Sequence, residues 1–590
     1  MKISNCLSTF VIIALSSLGS MGQNNCSATP QTGVCPTAAP VQQFCASGGS
    51  TKGASTCKVV NWWGFATVTP GSGAAGSQFE GIDASQTVHP SPIVSPNGGV
   101  GPTVTVGSQT QGQYLEFAGN YVQAFDKATG NPIFSNAPNK GPAVPQSFGT
   151  LFTPNAATSC KGPINEGIAE YDRLDSAFVL GDITFNPATN AYYYCFGISA
   201  NNANGAVSTS LQGPGNGKSY WNVYVYNITT SLPRKAVGGI RYHPSHPRFG
   251  GWSNGFYVTW DLVDPANNHT IGLEVCKLDK TDIVAGKNSV APICYTYIPS
   301  YAVGTKGTGD SLIHTLSPAD FEGSNAIPNT TAGEYFMALV NPSNPGTTNP
   351  CTQSLCQSNQ LAFWTWLAIT SQTPPTTITT ANNYTPGCYD PFKVRNTTCV
   401  PEPGFPTNLT DSVGDRLMHR LAYRVLGGVE YLAVAHTVEE DHATARTGVR
   451  YYKIQAGSTP TIVVQSGSST LPDIQDSSSV GNYVFAPSVA MDNNGDLGII
   501  STASGLNLNP TPFWETTDVT GKLSPGLNIC AGSGGCTATG EDQSDAHWGP
   551  IVSTTTDPTD DLTFWATDEY FSANQNSCCN WQTTIYSGKH

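Results

Sequence analysis

The segment Tyr121-Val-Gln-Ala-Phe-Asp-Lys-Ala-Thr-Gly-Asn-Pro-Ile-Phe134 decides the fold class, because it joins alternating apolar residues to a polar turn. The run Tyr121–Phe125 alternates as a half-buried strand does, and Asp126–Gly130 supplies turn-forming residues before a second apolar stretch. A strand, a turn and a second strand make a β-hairpin. The segment therefore predicts a β-hairpin and points to an all-β chain.

Six further segments show the same strand, turn and strand pattern. They are Val179–Phe185 with Tyr192–Ile198, Phe256–Trp260 with Ile271–Val275, Tyr335–Leu339 with Leu361–Ile369, Leu421–Val425 with Tyr431–His436, Ser488–Met491 with Leu497–Ile500, and Ile551–Thr554 with Leu562–Ala566. Units that recur at a long, regular spacing are typical of propeller blades. We therefore expect an all-β β-propeller of about six to seven blades, and a pair of β-sandwich domains is the alternative.

The chain ends suggest the domain organisation. Residues 1–22 have a short positive start, a short apolar run and small residues at the exit, which is typical of a secretory signal peptide. Residues 23–110 are rich in Cys, Gly and Pro and are interpreted as an N-terminal extension tied down by disulfides. The propeller is expected over 111–590, with Gln582–Tyr586 closing the ring beside an early strand. A secreted, extracellular location follows from the leader.

Cysteine usage agrees with export. The chain has 17 cysteines, and removal of Cys6 with the leader would leave an even set, as disulfides in an oxidising compartment require. The local pairs that we consider plausible are Cys26 with Cys35, Cys45 with Cys57, Cys276 with Cys294, Cys351 with Cys356, and Cys388 with Cys399. N-x-S/T sequons at positions such as Asn227 and Asn408 predict a glycoprotein if the host glycosylates them.

Charge excludes some partners. The net charge is −14 and charged residues make up 11% of the chain, well under the roughly 25% of average soluble proteins. Nucleic acid is not expected as a partner, because phosphate binding needs clustered Lys and Arg. No stretch is long and apolar enough for a membrane span. The oligomeric state is not determined by the sequence.

The second half of the chain resembles a family of secreted β-propeller proteins related to sialidase-like and BNR-repeat proteins. The segments that carry the resemblance are Asp415–Arg424, Ala435–Val438, Gly448–Tyr452, Ser488–Asp492 and Asp557–Trp565 with Glu569-Tyr570. The resemblance implies a propeller and export, and it carries over no agreed reaction.

The densest polar cluster supplies the candidate catalytic residues. Arginine presents a planar fork that suits carboxylates, and sialidase-like hydrolysis also needs carboxylates and commonly a Tyr nucleophile. The candidates are Asp415, Arg416, Arg420, Arg424, His436, Glu439, Glu569 and Tyr570. On a strand, Arg420 and Arg424 would share a face. The alternative is that these charges satisfy one another at a blade junction.

One turn resembles a calcium loop. Asp492, Asn494 and Asp496 place oxygen ligands at positions 1, 3 and 5, so calcium is the cofactor that the sequence suggests, and no other cofactor is expected. A plain β-turn at Asn494-Gly495 explains the same residues.

Three functions remain open. The first is a secreted β-propeller that binds an extracellular ligand such as a glycan. The second is a sialidase-like glycoside hydrolase, and the third is a structural cell-surface or matrix protein. The absence of a complete catalytic set favours the first, and the fold alone does not decide, since propellers have many functions.

Overall fold

The structure is a computed structural model that describes a large part of the chain. The described residues are 66–68, 76–83, 94–106, 109–133, 144–155, 158–161, 166–199, 221–234, 239, 241–266, 269–297, 313–328, 333–340, 358–384, 398–403, 405–441, 446–475, 482–531, 548–549, 551–571 and 581–590.

Seven antiparallel sheets account for most of these residues. The strand given first for each sheet below is called its first strand, and the sheets are numbered by the order of these first strands in the chain. Sheet 1 contains Asn97–Val100, Gln113–Ala118, Tyr121–Asp126 and Gln146–Ser147; sheet 2 contains Ile168–Asp172, Ala177–Asn186, Ala191–Ser199 and Trp221–Asn227; sheet 3 contains His243–Gly251, Gly255–Asp264, His269–Asp279 and Ile293–Tyr297; sheet 4 contains Ile313–Phe321, Tyr335–Val340, Ser358–Thr365 and Thr376–Tyr384. Sheet 5 contains Leu421–Leu426, Val429–Asp441, Arg446–Gln455 and Thr461–Gln465; sheet 6 contains Tyr483–Met491, Leu497–Gly505, Leu508–Thr517 and Leu527–Asn528; sheet 7 contains Ser553–Thr556, Phe564–Phe571, Trp581–Gly588, Gly76–Asp83 and Ala66–Val68.

The remaining elements are short. Two hairpins, Val104–Val106 with Gln109–Gln111 and Thr398–Glu402 with Phe405–Asp411, lie outside the seven sheets. The helices are the α-helices Lys280–Val284 and Trp366–Thr370 and the 3₁₀-helices Phe148–Asn155, Thr158–Lys161, Ile228–Thr230 and Ile529–Ala531. In the described part of the chain, no helix has the length and apolar character needed to cross a membrane.

The first strands of the seven sheets form a closed ring. Each contacts the first strand of the next sheet, and the first strand of sheet 7 contacts that of sheet 1. Between sheets 4 and 5 the contact is a parallel pairing, with Ala319 opposite Leu421. Sheet 7 is completed by the N-terminal strand, because Gly76–Asp83 pairs with Trp581–Gly588. The expected closure by the last strand is thus confirmed.

The apolar core lies between neighbouring sheets. Phe196 of sheet 2 packs with Phe249 and Phe256 of sheet 3, and Tyr257 of sheet 3 packs edge-on against Phe336 of sheet 4. Further clusters fill the other junctions. Burial at each junction holds the ring together, since apolar burial gives about 25 cal/mol per Å².

Three first strands carry a bulge at their N-terminal part. The pairing register shifts between Ser245 and Arg248, between His314 and Ser317, and between Phe485 and Ser488. A residue with positive φ lies inside each shift, namely His246 (53°), Thr315 (52°) and Ala486 (50°). Bulges of this kind re-aim side chains, and they are common next to functional sites.

The predicted hairpins are largely confirmed. Val179 pairs with Ile198, Ala422 with Ala433, Val489 with Ile499, and Thr554 with Ala566. The segment Tyr121–Asp126 pairs mainly with Gln113–Ala118, and its predicted partner is reduced to a bridge from Phe125 to Pro132.

One strand prediction is wrong in part. The strand predicted to run to Ile369 ends at Thr365, and Trp366–Thr370 is helical. Thr365 is the N-cap residue, and its side chain accepts the backbone N–H of Ala368 at 3.2 Å. Such a cap ends a strand and begins a helix despite the high strand propensity of Trp and Ile.

The boundary at residue 110 and the leader stay predictions. Residues 1–65 lie outside the described residues. Gly76–Asp83 and Asn97–Val100 precede residue 111, and they pair with strands of sheets 7 and 1. Of the proposed cysteine pairs, Cys276–Cys294 is confirmed, and Cys160–Cys195 is a second disulfide that the spacing did not predict. The pairs at Cys26, Cys45 and Cys351 lie outside the described residues.

Removing the second disulfide is expected to destabilise sheet 2. Cys160 and Cys195 are 35 residues apart, and closing a loop of this length in the unfolded chain corresponds to about 3–4 kcal/mol. A Cys160→Ala/Cys195→Ala variant should lose this amount in urea unfolding. Cys276→Ala/Cys294→Ala removes a shorter loop of 18 residues and should lose slightly less. A larger loss from the shorter loop would contradict the loop-entropy explanation.

Candidate functional site

Six polar side chains meet near the N-terminal ends of the first strands of sheets 2, 3 and 5: two lie in the first strand of sheet 3, and four lie in the segments that precede the first strands of sheets 2 and 5. This axial cluster consists of Glu166, His246, Arg248, Asp415, Arg416 and His419. His246 Nδ1 lies 2.6 Å from Glu166 Oε1, and Arg248 Nη1 donates to Glu166 Oε2 at 2.8 Å. Arg416 Nε donates to Asp415 Oδ1 at 2.6 Å, and Arg416 Nη2 donates to Asp415 Oδ2 at 3.0 Å. The cluster therefore contains two carboxylates, each held by a cation.

The bulge in sheet 3 positions the exposed member of the cluster. His246 has a φ of 53° and precedes Pro247, which has no N–H for the sheet ladder. Its side chain is 22% exposed, whereas those of Arg248 and Arg416 are 1% and 8% exposed. His246 is thus the part of the cluster that solvent reaches most easily.

Neighbouring charges set the ionisation of the cluster. Burial raises the pKa of Glu166, but His246 and Arg248 outweigh it and hold that pKa well below its usual range. Burial lowers the pKa of Arg416, but the Asp415 carboxylate outweighs it, so the pKa is raised. Burial, together with the Arg248 charge, lowers the pKa of His419 to about 3. At neutral pH, Glu166 is ionised, Arg416 is charged and His419 is neutral.

The cluster has spare hydrogen-bond donors and filled acceptors. Both oxygens of Glu166 and both oxygens of Asp415 already accept hydrogen bonds. Within the described chain, Nε and Nη2 of Arg248 and Nη1 of Arg416 are buried without a hydrogen-bond partner. Buried N–H groups of this kind normally have a partner. The spare capacity suits a ligand that offers oxygen atoms.

Glu170, on the first strand of sheet 2, contacts the cluster through His419. Its Oε1 is 3.5 Å from Nε2 of His419. Burial raises the pKa of Glu170 despite the opposing charge of Arg420. Because His419 is uncharged at pH 7 and Glu170 resists ionisation, this contact is not a strong ion pair.

Arg420 and Arg424 have hydrogen-bond partners other than the residues of the axial cluster. Arg420 pairs with Asp320, donates to Glu322 Oε1 at 2.6 Å, and donates to the Thr554 carbonyl at 3.2 Å. Arg424 Nη2 donates to Thr556 Oγ1 at 2.8 Å and lies 3.3 Å from Asp561. We call Asp320, Glu322, Arg420, Arg424 and Asp561 the axial ion network.

Glu322 joins four sheets in this network. It follows the first strand of sheet 4, and besides Arg420 it accepts the backbone N–H of Met491 at 3.2 Å and of Thr556 at 3.0 Å. Met491 and Thr556 end the first strands of sheets 6 and 7. The contacts favour a structural interpretation of Arg420 and Arg424, and their catalytic role stays a prediction.

The other predicted site residues lie in separate places. His436 Nε2 is 3.1 Å from the Tyr452 hydroxyl and is buried in sheet 5. Glu569 accepts the Gly549 N–H at 2.5 Å, and the Tyr570 hydroxyl donates to Glu80, both in sheet 7. Glu439 is half-buried near the end of the second strand of sheet 5. Of the eight candidates, the structure brings only Asp415 and Arg416 into the axial cluster.

The calcium prediction concerns a tight turn. Asp492 Oδ1 accepts the backbone N–H groups of Asn494, Gly495 and Asp496, each at 2.9 Å. This contact pattern is that of an Asp-stabilised turn, and calcium at Asp492, Asn494 and Asp496 stays a prediction. Among the described residues, one group of ligating atoms lies within 4.8 Å, at Glu274, Cys276 and Cys294. The two cysteines form a disulfide, so they offer no thiolate.

Sequence reasoning missed Glu166, His246 and Arg248. A signal existed in the dipeptides Ser95-Pro96, His246-Pro247 and Ala486-Pro487, each of which comes just before or inside a first strand. The residue before each proline has a positive φ, at 44°, 53° and 50°. A residue that precedes proline is otherwise extended, so the repeat marks an unusual backbone at the ring centre.

Comparisons with known proteins give the fold context only. No family model and no curated protein matches the chain. Among solved structures, the chain is similar to the Dos1 propeller (9% identity, TM-score 0.30, covering 80% of this chain and 75% of that one) and to Trypanosoma rangeli sialidase (8%, 0.33, 76% and 60%). It is also similar to a polysaccharide lyase described as an ulvan lyase (8%, 0.34, 83% and 94%). With TM-scores this low, these similarities support no conclusion about activity.

Proposed function

We propose that this protein is a secreted, seven-bladed β-propeller that binds an acidic glycan at the axial cluster. The seven sheets would be the blades, and the closed ring of first strands would surround the propeller axis. Radial repetition of this kind leaves only short sheet edges, which suits a long all-β chain.

The spare donors of Arg248 and Arg416 carry this proposal. They come from the first strand of sheet 3 and from the segment before sheet 5, they are buried, and both oxygens of each neighbouring carboxylate already accept a hydrogen bond. A ligand carboxylate would accept charge-assisted hydrogen bonds from both guanidinium groups. Sugar hydroxyls are weaker acceptors, so an acidic sugar fits better than a neutral one.

The overall charge argues for a local site and against an extended polyanion groove. At a net charge of −14, the protein repels long polyanions except where cations are concentrated. The axial cluster supplies two guanidinium groups at one place. We therefore expect one acidic sugar unit to be bound there and its neighbours to be contacted weakly.

Binding is tested with a glycan array and with polygalacturonate, alginate and hyaluronan in calorimetry. Carboxyl-reduced polygalacturonate is the matched ligand control, since it keeps the chain and loses the charge. Binding to the acidic polymer and not to the reduced one would support the proposal. A structural matrix protein would bind none of these polymers, and equal binding to both would point to a neutral-glycan site.

Arg248→Lys and Arg416→Lys should each weaken binding of the acidic polymer by about tenfold or more, because hydrogen bonds to charged groups contribute about 1.5–3 kcal/mol. Lysine keeps the pairing with Glu166 or Asp415 as a point charge and loses the planar fork. The matched control is Arg450→Lys, which alters an equally buried pair with Asp473 in the third strand of sheet 5. Unchanged binding in both axial variants would exclude the axial cluster as the site.

A further inference from the structure

We propose that the axial cluster cleaves 4-linked uronic acid glycans by β-elimination, with His246 as the base. This inference rests on the proposed function, since it uses the same site and names the reaction and the substrate class.

The carboxylates of the cluster are poorly suited to glycoside hydrolysis. Hydrolysis by two carboxyl groups needs one that gives a proton and one that attacks or activates water. Glu166 is ionised, and each of its oxygens accepts a hydrogen bond. Both oxygens of Asp415 accept hydrogen bonds from Arg416. Neither carboxylate is free to give a proton or to attack a sugar.

His246 has the arrangement of a proton acceptor. Glu166 is ionised, so it accepts the Nδ1–H of His246 across the 2.6 Å contact. In the neutral imidazole, this contact fixes the tautomer that has its lone pair on Nε2. A carboxylate that orients a histidine in this way also stabilises the imidazolium that forms when Nε2 takes a proton.

The spare arginine donors stabilise the charge that proton removal creates. The hydrogen on C5 of a uronic acid is next to the carboxylate, and its removal moves negative charge onto the carboxylate oxygens. The unpartnered N–H groups of Arg248 and Arg416 would bind those oxygens and stabilise that charge in a dry site. Arg248 and His246 both contact Glu166, so donor and base are held by the same side chain.

The reaction balances without a further reactant. His246 Nε2 takes the C5 proton, and the electrons of the C5–H bond form a C4=C5 double bond. The C4–O bond breaks, and its electron pair stays on the leaving oxygen. The imidazolium then returns its proton to that oxygen, so the two products are a saturated glycan end and an unsaturated uronate.

The test combines product analysis with one variant. The wild-type protein is incubated with polygalacturonate, alginate and hyaluronan, and the ultraviolet absorbance of the conjugated double bond is followed. Mass spectrometry should show a product lighter by one water than a hydrolysis product. His246→Asn keeps an N–H for Glu166 and tolerates positive φ, and it should lower kcat by roughly 10²–10⁴ with Kd unchanged.

The control is His243→Asn, the same substitution three residues earlier on the same strand, and it should leave kcat unchanged. If a polymer binds but no unsaturated product forms, the inference is wrong and the binding function stands. New reducing ends without unsaturation would show hydrolysis instead. Failure of every acidic polymer to bind would overturn the proposed function itself. Should His246→Asn not fold, the identity of the wild-type product still decides the reaction.

Discussion

Replacing Arg420 with methionine is expected to destabilise the folded chain by about 3–5 kcal/mol, the usual loss when a buried ion pair loses one partner. Arg420 is 5% exposed and pairs with Asp320 and Glu322, which are equally buried. Without the guanidinium, Asp320 and Glu322 would lose the cation that contacts both of them directly. Urea unfolding followed by tryptophan fluorescence measures the loss.

The contrast with a surface pair makes this prediction specific. Lys287 and Asp282 also form an ion pair, but their side chains are 59% and 33% exposed. Lys287→Met should leave the unfolding midpoint unchanged, because exposed pairs contribute little. Adding Glu322→Gln to Arg420→Met should recover part of the loss. If Arg420→Met kept its stability and lost ligand binding or turnover, Arg420 would instead be the site residue that its sequence context suggested.

Raising the pH from 6.5 to 8 should lower the melting temperature. Burial raises the pKa values of Glu116 and Glu515 to about 8, so the folded chain keeps protons that the unfolded chain has lost above about pH 4.5. Each group should remove roughly 1.5 kcal/mol of stability over this interval. Thermal unfolding at a series of pH values measures the slope.

The chosen pH window separates carboxyl from histidine effects. Burial lowers the pKa values of His419 and His436 to about 3, so their contribution is fully present above about pH 6.5 and is lost only as the pH falls towards 3. Glu116→Gln and Glu515→Gln should each flatten the decline between pH 6.5 and 8. Asp518→Asn, at an exposed turn, should not change it. A stability that is constant across the window would contradict the assigned protonation of these carboxyls.

The repeating strands could be predicted from the sequence because their signal is local. In Val179–Phe185 and Tyr192–Ile198, apolar residues alternate with the period of a strand, and Asn186–Asn190 contains turn residues. The pairing of the two strands therefore follows from residues that are close in sequence. Trp366–Thr370 was missed because one hydrogen bond from Thr365 to the Ala368 N–H outweighs apolar alternation.

The candidate site was only partly predictable, because its members are distant in sequence. Asp415 and Arg416 were found from a dense charge cluster. Glu166 is isolated in a polar segment, and its partner Arg248 is 82 residues away. The same charge cluster also suggested Arg420 and Arg424. Within the described residues, Arg420 and Arg424 also keep buried N–H groups without a partner. Which carboxylates an arginine meets depends on the sheets that surround it, and that is a property of the ring.

The strand that joins the two chain ends has a consequence for biosynthesis. The bond from Gln78 Nε2 to Thr584 Oγ1 spans 506 residues, so the seventh sheet is incomplete until Trp581–Gly588 has been synthesised. A ribosome that stops early would release an open ring whose first and last sheets both present unpaired backbone. Such products should be recognised by chaperones or degraded, and a nonsense mutation just before residue 581 should be as harmful as much earlier ones.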